Sequence, residues 1–330
     1  MPTTVTKSIR TDGAGDYTTL QTWDDAAPAN LVTADQIWRG ECTVATDEFV
    51  TVGATLTVSG STTDATRYKE LTTGAGASFR DHASVQTNAL KYNASNGVGI
   101  RSSEQYASTI SVSEANFHMS KLQVQHNVVT QANRALFSGA NTTVLDGCIF
   151  ENLANSGAIR LDGTGTVSDC LMIKRISGTG PLLTTINGAA FINCTFVQPD
   201  DLATMPTNLL DCRYSTHNFK NCAIFAGDST KAIGGNTSFT TCYTDVTGTT
   251  GLTQVTYANQ FQNINDATRD FRLKSGADCI NNGTTDSTNA PIDIAGTARP
   301  SGSAYDVGCW EFVAAAGGGT ILPFMMNYCG

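Results

Sequence analysis

The stretch "VLDGCIF", residues 144–150, decides how this chain is read, because it returns. "VSDCLM" follows at 167–172, "FINCTF" at 191–196, "FKNCAI" at 219–224 and "FTTCYT" at 239–244. Aligned on the cysteine, the segments read apolar-x-x-Cys-x-apolar: Leu145/Cys148/Phe150, Val167/Cys170/Met172, Phe191/Cys194/Phe196 and Phe219/Cys222/Ile224. Phe239/Cys242 keeps the first half, with Thr244 in the last place. "MSKLQV" supplies Met119/Leu122/Val124 one step earlier, with Leu for Cys. From Leu122 to Cys242 the steps are 26, 22, 24, 28 and 20 residues.

A period in the twenties, with no helical pattern between the repeats, marks a solenoid. Three short strands and three turns use about 24 residues, which is one coil of a parallel β-helix. Inward positions of a strand differ by two, yet here the apolar residue and the cysteine differ by three. The parity therefore breaks between them. The residue before the cysteine is Gly147, Asp169, Asn193 or Asn221 in four repeats. These types tolerate the left-handed region, so the column predicts a sharp turn between two strands. Lys121 and Thr241, in the same column, fit that expectation less well. Cys148, Cys170, Cys194, Cys222 and Cys242 are then a buried core ladder beside the turn, small and apolar. In-register stacking holds their Cβ atoms further apart than a disulfide allows, and no C-x₂-C pair offers a zinc site. No metal or cofactor is expected. Cys42, Cys212, Cys279, Cys309 and Cys329 stand outside the column.

Composition agrees with an all-β protein rich in turns. Hydrophobic residues make up 40% of the 330, charged residues only 15%, and the net charge is −9. Basic residues cluster no further than pairs such as Lys174-Arg175, which excludes a nucleic-acid face. No apolar run reaches the ~20 residues of a membrane span. The N-terminal "MPTTVTKSIRTDG" has no apolar signal-peptide region. The expectation is a chain made in a host cytoplasm and released by lysis.

The ends carry different signals. In "GAGDYTTLQTWDDAAPAN", 13–30, Leu20, Trp23 and Ala27 share a helical face, with a Thr at the N-cap and Pro28 at the stop. This predicts a short helix capping the solenoid. At the other end, Asp270, Leu273, Gly283, Asp293, Gly296, Arg299, Pro300, Asp306, Gly308, Trp310 and Glu311 follow one another in a recognisable order. The pattern resembles the C-terminal end of right-handed parallel β-helix proteins of the pectin-lyase-like superfamily, where it closes the last coils. Ala295 and Cys309 depart from it. The N-terminal "GDYTTLQTWDDAAPANL…GEC" is similar to β-helix proteins carried by tailed bacteriophages. The resemblance spans roughly residues 10–45 and 270–312 and implies the fold, with a virion location as its functional expectation.

The expected organisation is an N-terminal segment and capping helix at 1–40, the β-helix at 41–285, a closing segment at 286–313 and a linker with an apolar tail at 314–330. "AAAGGG" reads as a flexible linker. Ile321, Leu322, Pro323, Phe324, Met325, Met326 and Tyr328 form an apolar element expected to dock onto other virion proteins, in capsid or tail, the alternative being that it folds back onto its own solenoid. A homotrimer and a host glycan are further expected partners. No catalytic residue is assigned. Relatives in the superfamily include polysaccharide lyases and hydrolases, so a tailspike-like enzyme is the alternative. Its candidates are Asp200 and Asp201, with Arg213 half a coil later, and Asp146 near Asp169. His82, His118, His126 and His217 share no metal-ligand spacing and read as turn or surface residues.

Overall fold

The computed structural model describes residues 1–44, 46–51, 56–128, 134–139, 142–153, 157–175, 180–198, 208–227, 230–265 and 268–314. The chain winds as a parallel β-helix with three strands per coil. One coil shows the plan: Leu136–Ser138 in a first sheet, Thr142–Asp146 in a second and Ile149–Asn152 in a third. Each pairs in parallel with its counterparts one coil before and one coil after. The strand Asn208–Lys220 runs through the first and second sheets without a break.

The register follows the repeat. Met119, Leu145, Val167, Phe191, Phe219 and Phe239 are Cα partners in sequence along the second sheet. Val124, Phe150, Met172, Phe196, Ile224 and Thr244 are partners along the third. Between these two columns every coil carries one left-handed residue. The φ values are 60° at Lys121, 59° at Gly147, 49° at Asp169, 50° at Asn193, 53° at Asn221 and 55° at Thr241. Lys121 and Thr241 thus adopt the conformation their side chains disfavour, because pairing on both sides of the corner leaves no other path. At Gly147 a further constraint acts: a Cβ there would lie 2.2 Å from Arg80 Nη2.

The five cysteines of the column are buried and free. Their thiols answer the carbonyls that the corner turns inward. Cys194 Sγ donates to Val167 O of the coil below at 3.3 Å, Cys222 to Phe191 O at 3.4 Å and Cys242 to Phe219 O at 3.4 Å. A thiol is a weak donor, but an aliphatic side chain would leave these oxygens with one partner fewer. Beside it, the rings of Phe191 and Phe219 stack with centroids 4.7 Å apart.

The N-terminal end is capped. Helix α1 (Leu20–Asp25) has Thr19 as N-cap, whose side chain accepts from Thr22 N. Leu20 and Trp23 are buried, and Ala27 packs against the same core. A second short helix, α2 (Leu31–Ala34), follows, capped by Asn30. Gln21 closes the free edge of the first sheet: its Nε2 donates to Thr57 O (3.3 Å) and its Oε1 accepts from Thr57 N (2.9 Å). Below the helix, Lys69 Nζ lies 2.8 Å from Asp24 and 2.9 Å from Glu114, all three side chains out of solvent. Burial pushes the Asp24 carboxyl up to about 6. Thr3–Ile9 pairs with Gln36–Cys42 over all seven residues, so the first strand already belongs to the second sheet.

The C-terminal segment corrects an expectation. It does not close the last coil. From Tyr257 to Phe312 it runs back along the outside of the third sheet. Ile149, Leu171, Ile173, Val197, Ala223 and Phe225, which point outward from that sheet, form a second core with Phe261, Phe271, Ile294, Val307, Cys309 and Trp310. The cover also reaches the excursion at residues 79–92: Leu90 N donates to Asp270 and Phe271 N to Leu90 O. Its anchor is Arg299, fully buried. Nη2 donates to Asp169 Oδ1 (3.0 Å) and Gly308 O (2.9 Å), and Nη1 to Glu311 Oε2 (2.8 Å) and Asp306 O (3.3 Å). Asp293 and Asp306 spend both their oxygens on backbone N–H groups of the same segment. The residues that carry the resemblance are therefore the ones that tie the cover together.

Two outcomes follow. Asn193→Val places a β-branched residue in the left-handed corner and is expected to cost about 1–3 kcal/mol, whereas Asn193→Gly stays within about 1 kcal/mol. Urea midpoints of the two variants test this. Arg299→Ala strands Asp169 and Glu311 in the interior and is expected to cost about 3–5 kcal/mol. Proteolysis of that variant should begin within residues 257–312.

Candidate functional site

The first sheet is one residue wide on its outer face. Thr57, Ser111, Phe137, Arg160, Thr184, Asp211 and Gly234 follow one another there in register. Residues two apart on a strand share a face, so Asp162 and Arg213 sit beside Arg160 and Asp211. Arg160 grips Asp162 with two bonds, Nε to Oδ1 at 2.6 Å and Nη2 to Oδ2 at 2.8 Å, and lies over the Phe137 ring at 5.4 Å. Arg213 grips Asp211 in the same forked manner. Asn187 Nδ2 donates to Asp162 O.

Above this row the corner Arg213–Thr216 bulges out, and Tyr214 stands on it. Its φ is 62° and it is 77% exposed. His217 holds the bulge from inside. Its Nδ1 accepts from Ala189 N (3.0 Å), which leaves Nε2 as the donor to Arg213 O (3.1 Å). Burial pulls this imidazole below its ordinary range, in keeping with the neutral tautomer the bonds require. From the next coil, Asn236 Nδ2 donates to Tyr214 O (2.7 Å). A strained, exposed tyrosine thus stands next to the Arg213–Asp211 fork, and the Arg160–Asp162 fork lies two coils away on the same face. Planar forks and an open ring are the groups that meet the hydroxyls and C–H faces of a sugar.

A recess lies between the cover and the third sheet. Lys91, Tyr92, Glu151, Ile173, Arg175, Arg269 and Phe271 line about 110 Å³. Glu151 is taken by Arg175 (2.9 Å) and Gln125 (3.1 Å), and Tyr92 donates to Glu48 (2.8 Å). Burial and Glu48 push the Tyr92 phenol up, so it holds its proton. At this volume the recess is smaller than the ~300 Å³ of ordinary ligand pockets.

The residues singled out from sequence lie apart. Asp200 and Asp201 fall outside the described residues, as do Ile321, Leu322, Pro323, Phe324, Met325, Met326 and Tyr328. Asp146 and Asp169 do stand on successive coils, but as structural groups. Asp146 accepts from Ser168 Oγ (3.0 Å) and faces Arg80. Asp169 is held by Arg299, and burial raises it well above the usual carboxylate range. The four histidines occupy four places. His118 stacks on Tyr68 with centroids 3.6 Å apart, and His126 meets Thr109; burial lowers both to about 4. His82 sits in the excursion, against Asn88. The Arg160–Asp162 and Asp211–Arg213 pairs went unread, although "RLD" and "DCR" at two-residue spacing were the available signal.

No family model and no curated protein matches the chain. Among solved structures, it is similar to the pectin methylesterase from Aspergillus niger in deglycosylated form, at 12% identity over 88% of this chain and 95% of that one, with a TM-score of 0.41. The penultimately deglycosylated form of the same enzyme aligns at 12% identity over 86% and 92%, with a TM-score of 0.42. The assignment as a parallel β-helix stands on the strand pairing itself.

Tyr214→Gly should relieve the left-handed strain while removing little packing. The expected stability is unchanged or up to about 1 kcal/mol higher, read as a thermal or urea midpoint.

Proposed function

We propose that this protein is a structural component of a tailed-bacteriophage particle: a rigid β-helix displayed on the virion surface as a capsid decoration, head fibre or tail appendage. Residues 321–328 anchor it, and the outer face of the first sheet adheres to host glycans. The virion reading rests on the resemblance of residues 10–45 and 270–312 to phage-carried β-helix proteins, and on the apolar tail behind its glycine linker. The adhesive reading rests on one observation, the exposed Tyr214 next to the Arg213–Asp211 fork on the face that also carries the Arg160–Asp162 fork.

Binding without cleavage is favoured because Asp162 and Asp211, the acidic groups of that face among the described residues, are both engaged. A hydrolase needs one carboxylic acid and one free carboxylate flanking the bond to be cut. Asp162 and Asp211 each accept a forked arginine instead, which holds them as charged acceptors.

Three proteins test this: the full chain, a chain ending at Ala314, and Tyr214→Ala with Arg160→Ala. The full chain is expected to co-sediment with particles and to bind host surface polysaccharide. The truncated chain should lose particles and keep the glycan, and the double variant should do the reverse, with at least tenfold weaker glycan binding. Release of oligosaccharides from capsule or lipopolysaccharide by the full chain would replace this reading with the lyase or hydrolase alternative.

A further inference from the structure

The two ends of the solenoid are built differently, and the difference has a use. At the N-terminal end α1 lies across the first sheet, Gln21 satisfies its edge at Thr57, and Lys7 pairs with Asp16 (3.5 Å) on the outermost strand of the second sheet. At the other end the outermost strands are Ala232–Thr240 and Leu252–Gln254. Among the described residues nothing pairs with their outer edges. None of the nine residues of Ala232–Thr240 is buried, and Ile233, Phe239 and Leu252 close the core only partly. The loop at 245–251 crosses here with Gly251 close to Phe239, and leaves that ring only partly buried.

Natural sheets protect such edges with lysine, proline or a covering element. Neither lysine nor proline occurs on these two strands. From Ala232 to Gln254 the only charged residue is Asp245, and no proline occurs. That one side chain is turned inward to the backbone of Ala226. In a chain of net charge −9, a neutral end with unpaired strand edges is a place where two copies can meet without repulsion.

We propose that this end is a homodimer interface, in which a second copy of the chain packs its own C-terminal solenoid end against the first. The capped N-terminal end excludes a head-to-tail stack, which would grow into an open filament. One bare end per chain leaves a two-fold contact as the closed arrangement. Ala232–Thr240 then runs antiparallel to its own counterpart, and Ile233, Phe239 and Leu252 of both copies complete one core. The resulting rod is twice as long, with a capped tip at each end. The proposal does not depend on the virion reading.

Sedimentation equilibrium and amide exchange test it, on the full chain, on a chain ending at Ala314, and on Ser238→Lys with Thr240→Lys. Both lysines replace exposed residues on the edge strand, so circular dichroism and the thermal midpoint should not change. The expected result is a dimer for the full and the shortened chain alike, with a dissociation constant weakened at least tenfold by the two lysines. Amides of 232–240 and 252–254 should exchange more slowly as concentration rises through the transition. A monomer at all concentrations or a trimer overturns the proposal. So does a dimer that ignores the lysines. If the full chain is monomeric and the shortened one dimeric, the tail of the same molecule covers this end; if only the full chain dimerises, the tail is the contact. Either result also overturns it.

Discussion

Every coil of this protein must change direction between its second and third sheets without losing the pairing on either side. One left-handed residue does it, at six successive levels. The carbonyls on its N-terminal side are swung toward the axis, and a cysteine next to it meets them with a thiol. Because the corner repeats in register, the apolar residues before and after it stack into two continuous columns. Core, sheet register and the outward direction of all other side chains follow from that corner. Asp169 and Asn221 belong to the corner column themselves, and both are used from outside: Asp169 receives Arg299, and Asn221 exchanges hydrogen bonds with Thr284.

The buried charges divide into two groups with one physical logic. Lys69 with Asp24 and Glu114 secures the cap; Arg299 with Asp169 and Glu311 secures the cover. Neither group gains much over an apolar packing of equal volume, but each penalises any arrangement that leaves a member unpaired. They fix where the two added elements sit on a solenoid whose repeated surface offers several nearly equivalent positions. The forks on the first sheet are exposed and therefore weaker. Their value is directional, since they hold planar groups on the face that carries Tyr214 and that the cover leaves bare.

What the sequence discloses is what repeats. The steps from Leu122 to Cys242 define the coil, and the partners along the sheets are the residues that the alignment brings together. Thr19, Leu20 and Trp23 disclose the cap through helical spacing. The cover is different. Asp169 and Arg299 are 130 residues apart, and no periodicity links them. Its apolar partners Ile149, Leu171 and Ile173 lie on the outward parity of their strands, where a solenoid with a wet surface would place polar groups. The first-sheet site is hidden for another reason: the strands before Asn208–Lys220 are three residues long, too short for an alternation to declare itself. The bulge at Tyr214 interrupts a strand that otherwise reads as continuous.

The cover also has a consequence for how such a molecule can change over generations. A free solenoid gains or loses whole coils cheaply, since each contacts only its neighbours. Here one continuous segment touches Leu90, Asp169, Thr195 and Asn221 at fixed intervals along the axis. Duplicating or deleting a coil between those levels would move every attachment point by one strand spacing, about 4.8 Å, out of reach of its hydrogen bond. The C-terminal segment thus works as a gauge that fixes the coil number beneath it, as far as Thr241, whose hydroxyl meets that of Thr284.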